Sequence, residues 1–216
     1  MSNLETITRQ LVEALLRLDS PGVGALLDGL RPLAGGGPSL DDVVVPALER
    51  IGRDWEEGRV SLSQVYMAGR ICERAVEGLL SPDRPVRGDR PKLGIAVLED
   101  HHALGKRMVK SALRAAGYQL QDYGHGRRPQ ELVEMALRDQ VDVLLISCLM
   151  LASALRVSEV VAGLQKAGSP IAVVVGGAPF RLEAQLWKEV GARAVGRNAA
   201  EAVAIVRSLA EREPWA

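Results

Sequence analysis

Aromatic side chains are nearly absent from this chain: Phe, Trp and Tyr make up 3% of its 216 residues. Its core must therefore be built from Leu, Val, Ala and Ile. Cysteine is equally scarce, with two in all, Cys72 and Cys148. Each falls inside an apolar stretch and the two are not closely spaced, which speaks against a disulfide framework and suits reduced thiols in a cytoplasmic protein. Neither sign of charge is in excess, with Lys+Arg and Asp+Glu at 27 each. A balanced chain lacks the basic surface that bulk binding of nucleic acid or an anionic membrane requires. No apolar run approaches the length of a membrane span. The opening "MSNLETITRQ" has no basic start followed by an apolar stretch, so no signal peptide is expected.

What is present divides into two patterns. Residues 1–80 read as helix throughout. "LETITRQLVEALLRL" places Leu4, Ile7, Leu11, Leu15 and Leu16 on one side at three- and four-residue steps. "SPGVGALLDGL" offers Ser20 as an N-cap ahead of Pro21. "SLDDVVVPALERIGRDWEEG" pairs Ser39 with Asp42 in the manner of a capping box, and its Pro46 should bend the helix or mark a late start. "SLSQVYMAGRICERAVEGLL" repeats the box with Ser61 and Gln64. Four such segments predict a small helical bundle. Residues 81–91, "SPDRPVRGDRP", have almost nothing to bury and read as an interdomain linker.

Residues 92–216 alternate differently. The short apolar runs "KLGIAVL", "QLQDY", "DVLLISCL", "IAVVVGG" and "ARAV" are each followed by a helical pattern, the third by "SALRVSEVVAGLQKAG" and the fourth by "FRLEAQLWKEVG". Five strand–helix units predict an α/β domain: a five-stranded parallel sheet covered by helices, with the flavodoxin-like (Rossmann-like) order 2-1-3-4-5. Ligands of such sheets bind beyond the carboxyl ends of the strands, near the switch point. The loops there are "EDHHALG" after strand one, "SCLMLAS" after strand three and "GGAPF" after strand four. All three are unusual in composition, and all fall on one edge.

The first of them holds two of the three histidines. Asp100 and His102 lie two apart, so in an extended segment they project to the same side. A carboxylate beside an imidazole fixes its tautomer and raises its basicity, as behind a metal-ligating histidine. His102 is therefore the candidate metal ligand and His101 a flanking residue. Taken alone, the loop reads better as a capping aspartate beside a solvated histidine pair; the convergence of three loops changes that. Zinc wants three or four protein ligands, and adjacent histidines chelate poorly. The pattern calls for a metal whose remaining ligands come from a macrocycle. A phosphoacceptor receiver domain shares this architecture, and Glu99-Asp100 mimics its acidic pair. Its acceptor Asp and its Lys are missing at Ser147-Cys148-Leu149 and Gly196-Arg197-Asn198.

Together the loops resemble the cobalamin-binding domain of methionine synthase and of the small corrinoid proteins of methyltransferase systems. The family pattern is Asp-x-His-x-x-Gly, then Ser-x-Leu, then Gly-Gly. The chain has Asp100-His101-His102-Ala103-Leu104-Gly105, then Ser147-Cys148-Leu149, then Gly176-Gly177. The resemblance extends to the helical segment, which is similar to the bundle that caps the corrin ring. It implies a methyl carrier that holds cobalamin (methylcobalamin or a related corrinoid) base-off, with His102 on cobalt, cycling between Co(I) and methyl-Co(III). It further implies that Asp100 accepts the other ring N–H of His102 and that Ser153 hydrogen-bonds Asp100. Ser147 and Leu149 would line a slot for the nucleotide tail, kept open by Gly176 and Gly177, and Gly105 would let the corrin approach.

Trp55, Tyr66 and Met67 would cover its upper face; Met67 reads equally well as bundle core. Barrel-type methyltransferases and a reductive activator of the corrinoid are the implied partners, and the oligomeric state is left open. Cys148 reads as a small buried hydrophobe.

The chain departs from the family at several positions. Leu151 stands where a Thr is frequent, Glu99 where Gly commonly precedes the Asp, and Ser63-Gln64 where Pro-Glu is frequent. A cobalamin-dependent sensor or light-responsive module is the alternative. Its signature, Glu-His ten residues after a Trp, is replaced by Val65-Tyr66 after Trp55, and neither end reads as a DNA-binding segment.

Overall fold

In the computed structural model, residues 3–30, 40–79 and 90–212 are described. Ser39 and all but the last two residues of the expected linker 81–91 lie outside them. The chain divides into two compact units, Met1–Pro85 with Arg107–Gly117, and Val86–Lys106 with Tyr118–Ala216.

The first unit contains four amphipathic helices, α1 (Asn3–Leu16), α2 (Ser20–Asp28), α3 (Leu40–Glu56) and α4 (Leu62–Leu79). Their apolar faces bury Leu11 and Leu15, Val23 and Leu27, Val44, Leu48 and Ile51, and Val65, Cys72 and Val76. Leu4, expected on the buried face of α1, stays exposed in its first turn. The cap of α2 is one residue earlier than predicted. Asp19 accepts the N–H of Gly22 at 2.9 Å, and Ser20 is the first helical residue. Pro46 does not delay α3, which runs from Leu40 with the proline inside it. The capping box of α4 is reciprocal: Ser61 N–H donates to Gln64 Oε1 at 3.1 Å, and Gln64 N–H donates to Ser61 Oγ at 3.3 Å.

The second unit is built on five parallel strands, β1 (Leu93–Val97), β2 (Leu120–Asp122), β3 (Val143–Ser147), β4 (Ala172–Gly176) and β5 (Ala194–Gly196), in the order β2-β1-β3-β4-β5. This is the predicted order. Alternate residues Ala96, Leu144, Ile146, Val173 and Val175 join one apolar cluster with α6 (Pro129–Asp139) and α8 (Val157–Lys166). The intervening Ile95, Val97, Val143, Leu145 and Val174 are buried as well. Burial of both faces explains why these strands read as continuous apolar runs.

Helix α5 (Leu104–Ala115) follows β1, and α11 (Ala199–Arg212) follows β5. Two stretches predicted as single helices are each divided. The first becomes α7 (Leu151–Leu155) and α8, meeting at Arg156; the second becomes α9 (Ala178–Leu182) and α10 (Leu186–Glu189), separated by an extended Glu183. No described helix is long and apolar enough to cross a membrane.

Candidate functional site

Strands β1, β3, β4 and β5 end level with one another. Val97 pairs with Ser147, and Ser147 with Gly176, so the three unusual loops leave the sheet along one edge. The loop after β1 is fastened to the loop after β2 by backbone bonds. Val97 N–H donates to Gly124 O at 3.0 Å, Glu99 N–H to Arg127 O at 3.0 Å, and Gly126 N–H to Asp100 O at 2.8 Å.

Asp100 is buried at this edge, 6% exposed. Its Oδ1 accepts the backbone N–H of His102 at 2.9 Å, and its Oδ2 accepts that of Leu149 at 2.9 Å. The side-chain relation expected from sequence is present in looser form. His102 Nδ1 stands 3.6 Å from Asp100 Oδ1, on the same side but a few tenths of an ångström beyond hydrogen-bond reach. The His102 imidazole is 61% exposed. Ala103 and Leu104 are half-buried and lead into α5, where Gly105 is exposed.

After β3, Ser147 is half-buried and Cys148 buried, while Leu149, Met150, Leu151 and Leu155 are all exposed. Four large apolar side chains open to solvent on one short segment form the kind of patch that marks a binding surface. Ser153, on α7, is buried. Burial pushes the Cys148 thiol up to about 12, with the carboxylates of Asp100 and Glu99 adding to the shift.

The three glycines have different reasons to be glycine. Gly177 has φ of 115°, and a Cβ there would run into the Cys148 carbonyl, 2.8 Å from its carbon. A Cβ on Gly176 would meet the Gly196 carbonyl oxygen at 2.8 Å. Both are therefore required by the packing of the chain itself, whatever slot they border. Gly105 is not: the nearest atom to a Cβ there is Ser147 Oγ at 3.8 Å, ordinary contact. The space over Gly105 is open.

In the helical unit, Trp55 near the end of α3 and Tyr66 and Met67 on α4 are exposed, whereas Val65 and Ala68 are buried. Met67 is thus not bundle core. The Arg107 guanidinium lies over the Tyr66 ring, 5.4 Å from its centroid.

Three pairings at the sheet edge escaped the sequence. Glu99, with φ of 53°, forms an ion pair with Arg156, which also holds Glu159 at 2.8 Å. His101 Nδ1 lies 2.9 Å from His125 Nδ1. Lys106 is buried and paired with Asp122, the last residue of β2. A buried lysine in the first turn of α5 had a visible signal in the acidic end of "QLQD". The other two had none.

An exposed imidazole backed by a buried carboxylate, beside open apolar surface, suits a flat apolar macrocycle whose metal lacks one ligand. A doubly wound sheet presenting that edge, together with a helical unit, defines the chain as a cofactor-holding α/β protein. Residues 91–206 match the family described as B12 binding domain, and residues 7–80 match a second family of the same description. The chain belongs to this family and is a corrinoid-binding protein.

It is similar to dimethylamine corrinoid protein 1 of Methanosarcina mazei, 28% identical over 97% of this chain and 98% of that one. It is 30% identical to monomethylamine corrinoid protein 2 of Methanosarcina barkeri, over 95% and 97% of the two chains. The solved monomethylamine corrinoid protein of Methanosarcina barkeri superposes with a TM-score of 0.64 at 28% identity, over 95% of this chain and 99% of that one.

Proposed function

We propose that the chain is a methyl carrier that holds its corrinoid through His102, with the cofactor's own base displaced. The observation that carries this reading is the exposed imidazole of His102 set 3.6 Å from a buried carboxylate. Full-length similarity to proteins named for monomethylamine and dimethylamine supports methyl transfer as the task. When bound, the cobalt supplies the site that takes up a methyl group and gives it away.

The residues of the chain bind and orient. His102 would hold the cobalt. Asp100, fixed by two backbone N–H groups, would accept the ring N–H of His102 that faces it and hold a proton at that pair. Ser153 is the third member of this relay. Ser147 and Leu149 border the slot for the nucleotide tail, and the exposed side chains of Met150 and Leu151 offer apolar surface at the same edge. Leu151 cannot make the polar contact of a threonine, so one hydrogen bond to the tail is absent here. Gly105 leaves room for the ring. Trp55, Tyr66 and Met67 are the side chains of the helical unit assigned to the cofactor. Loading and unloading fall to partner methyltransferases of the barrel type, with a reductive activator to restore an over-oxidised cofactor.

Reconstitution with hydroxocobalamin tests the reading. The wild type and His101→Ala should give the absorption spectrum of a histidine-ligated corrinoid, and His102→Ala should not. Identical spectra for all three would exclude His102 as the ligand.

A further inference from the structure

Two adjacent imidazoles stand at the carboxyl edge, and only one has a role. We propose that His125 is a positioning residue that engages His101 and keeps it from competing for the metal, leaving His102 as the imidazole presented to the corrinoid. The inference rests on the histidine-ligated reading above.

The geometry is built from three independent features. First, the backbone bonds between the loops after β1 and β2 bring residues far apart in sequence side by side; Gly126 N–H donates to Asp100 O at 2.8 Å, one residue away from each histidine. Second, Gly126 has φ of 67°, and a Cβ there would stand 3.0 Å from His101 Cε1. The missing side chain is the niche into which the His101 ring fits. Third, the two rings meet edge to face, centroids 5.0 Å apart, with their Nδ1 atoms 2.9 Å from each other.

A hydrogen bond between two Nδ1 atoms requires a proton on one and a bare lone pair on the other, so the two rings take complementary tautomers. It also turns His101 toward the loop after β2. Both rings are exposed, but they are thereby separated: His101 is bound to a partner imidazole and His102 stands beside Asp100. An Asp-x-His motif with a second histidine at its central position has two possible ligands. The contact with His125 selects between them.

Two measurements decide the matter. In the cofactor-free protein, histidine-selective 15N NMR should show the His101 ring nitrogens displaced from the values of a free imidazole. His125→Ala should shift the His101 ring nitrogens to the averaged values of a free imidazole and leave those of His102 in place, and His101→Ala should produce the matching change at His125. Unchanged His101 signals in His125→Ala would overturn the proposal.

In protein carrying 15N-histidine and loaded with cob(II)alamin, an axial histidine splits the EPR lines into doublets; benzimidazole nitrogen gives triplets. Doublets should be lost in His102→Ala and return in His102→Ala/His125→Ala, where His101 is released. Doublets that survive in His102→Ala, or that fail to return in the double variant, would overturn the selecting role. A wild type without doublets would instead overturn the histidine-ligated reading, while the cofactor-free NMR would still decide whether His125 holds His101.

Discussion

The buried carboxylate of Asp100 accepts the backbone N–H of Leu149 at 2.9 Å. The two residues are 49 positions apart, and the bond ties the loop after β1 to the loop after β3. The other oxygen of the same carboxylate holds the N–H of His102. Asp100 therefore joins the histidine loop to the loop after β3. Asp100→Ala removes both acceptors, and a hydrogen bond to a charged group contributes about 1.5–3 kcal/mol. A loss of about 3 kcal/mol or more in urea unfolding is expected, with weaker corrinoid binding. Asp100→Asn keeps one carbonyl acceptor and should lose less. An Asp100→Ala protein as stable as wild type would mean that the carboxylate does not join the loops.

Two glycines at the same edge should respond in opposite ways. Gly177→Ala puts a Cβ into the Cys148 carbonyl at φ of 115°. The variant should be destabilised by roughly 3 kcal/mol or more, or fail to accumulate. Gly105→Ala meets nothing closer than 3.8 Å on a helical backbone. Its stability should be unchanged or up to about 1 kcal/mol higher. Its hydroxocobalamin affinity, read by titrated absorbance, should fall because the added methyl group occupies the space over the loop. Wild-type affinity in Gly105→Ala would show that this space is not used by the cofactor.

That contrast marks what was legible in the sequence. Strand order and the three-loop edge followed from continuous apolar runs and their spacing, because both faces of the sheet are buried. The glycine motifs were visible, but the reason for them was not: Gly176 and Gly177 answer to carbonyls of Gly196 and Cys148, neighbours that only the folded sheet brings close. The breaks at Arg156 and Glu183 carry neither Gly nor Pro. At Arg156 the helix ends where the guanidinium reaches Glu99, and at Glu183 the carboxylate accepts Gln185 N–H at 3.1 Å. Such tertiary and local side-chain bonds override a helical pattern that reads through both sites. His101 and His125 are joined by strand register, which no spacing along the chain reveals.

Cys72 and Cys148 are buried and free, and burial raises both thiols from an ordinary value of 9.0 to about 12. A neutral thiol is favoured in the fold, so the unfolded chain loses these protons first. Stability contributed by the neutral thiols is complete below pH 9, is lost progressively as pH rises from 9 towards 12, and does not change in acid. Native protein should therefore react slowly with a thiol reagent at neutral pH and quickly once unfolded. Serine at both positions should flatten the fall in the urea midpoint above pH 9. Rapid labelling of the native protein at pH 7 would contradict the burial.

Glu99 holds a left-handed backbone with φ of 53°, a conformation that costs a residue with a Cβ roughly 1–2 kcal/mol. Its carboxylate also pairs with Arg156, and a partly exposed pair of this kind contributes about 0–1 kcal/mol. The two effects nearly offset each other, so Glu99→Gly, which removes both, should stay within about 1 kcal/mol of wild type. Glu99→Ala keeps the strain and loses the pair, and should be less stable than Glu99→Gly by about 1 kcal/mol. Arg156→Ala should match Glu99→Ala once its bond to Glu159 is allowed for by a double-mutant cycle. The pair should also weaken in high salt, because its charges are partly exposed. If Glu99→Ala proved as stable as Glu99→Gly, the backbone at this position would be unstrained, and the ion pair alone would account for the glutamate.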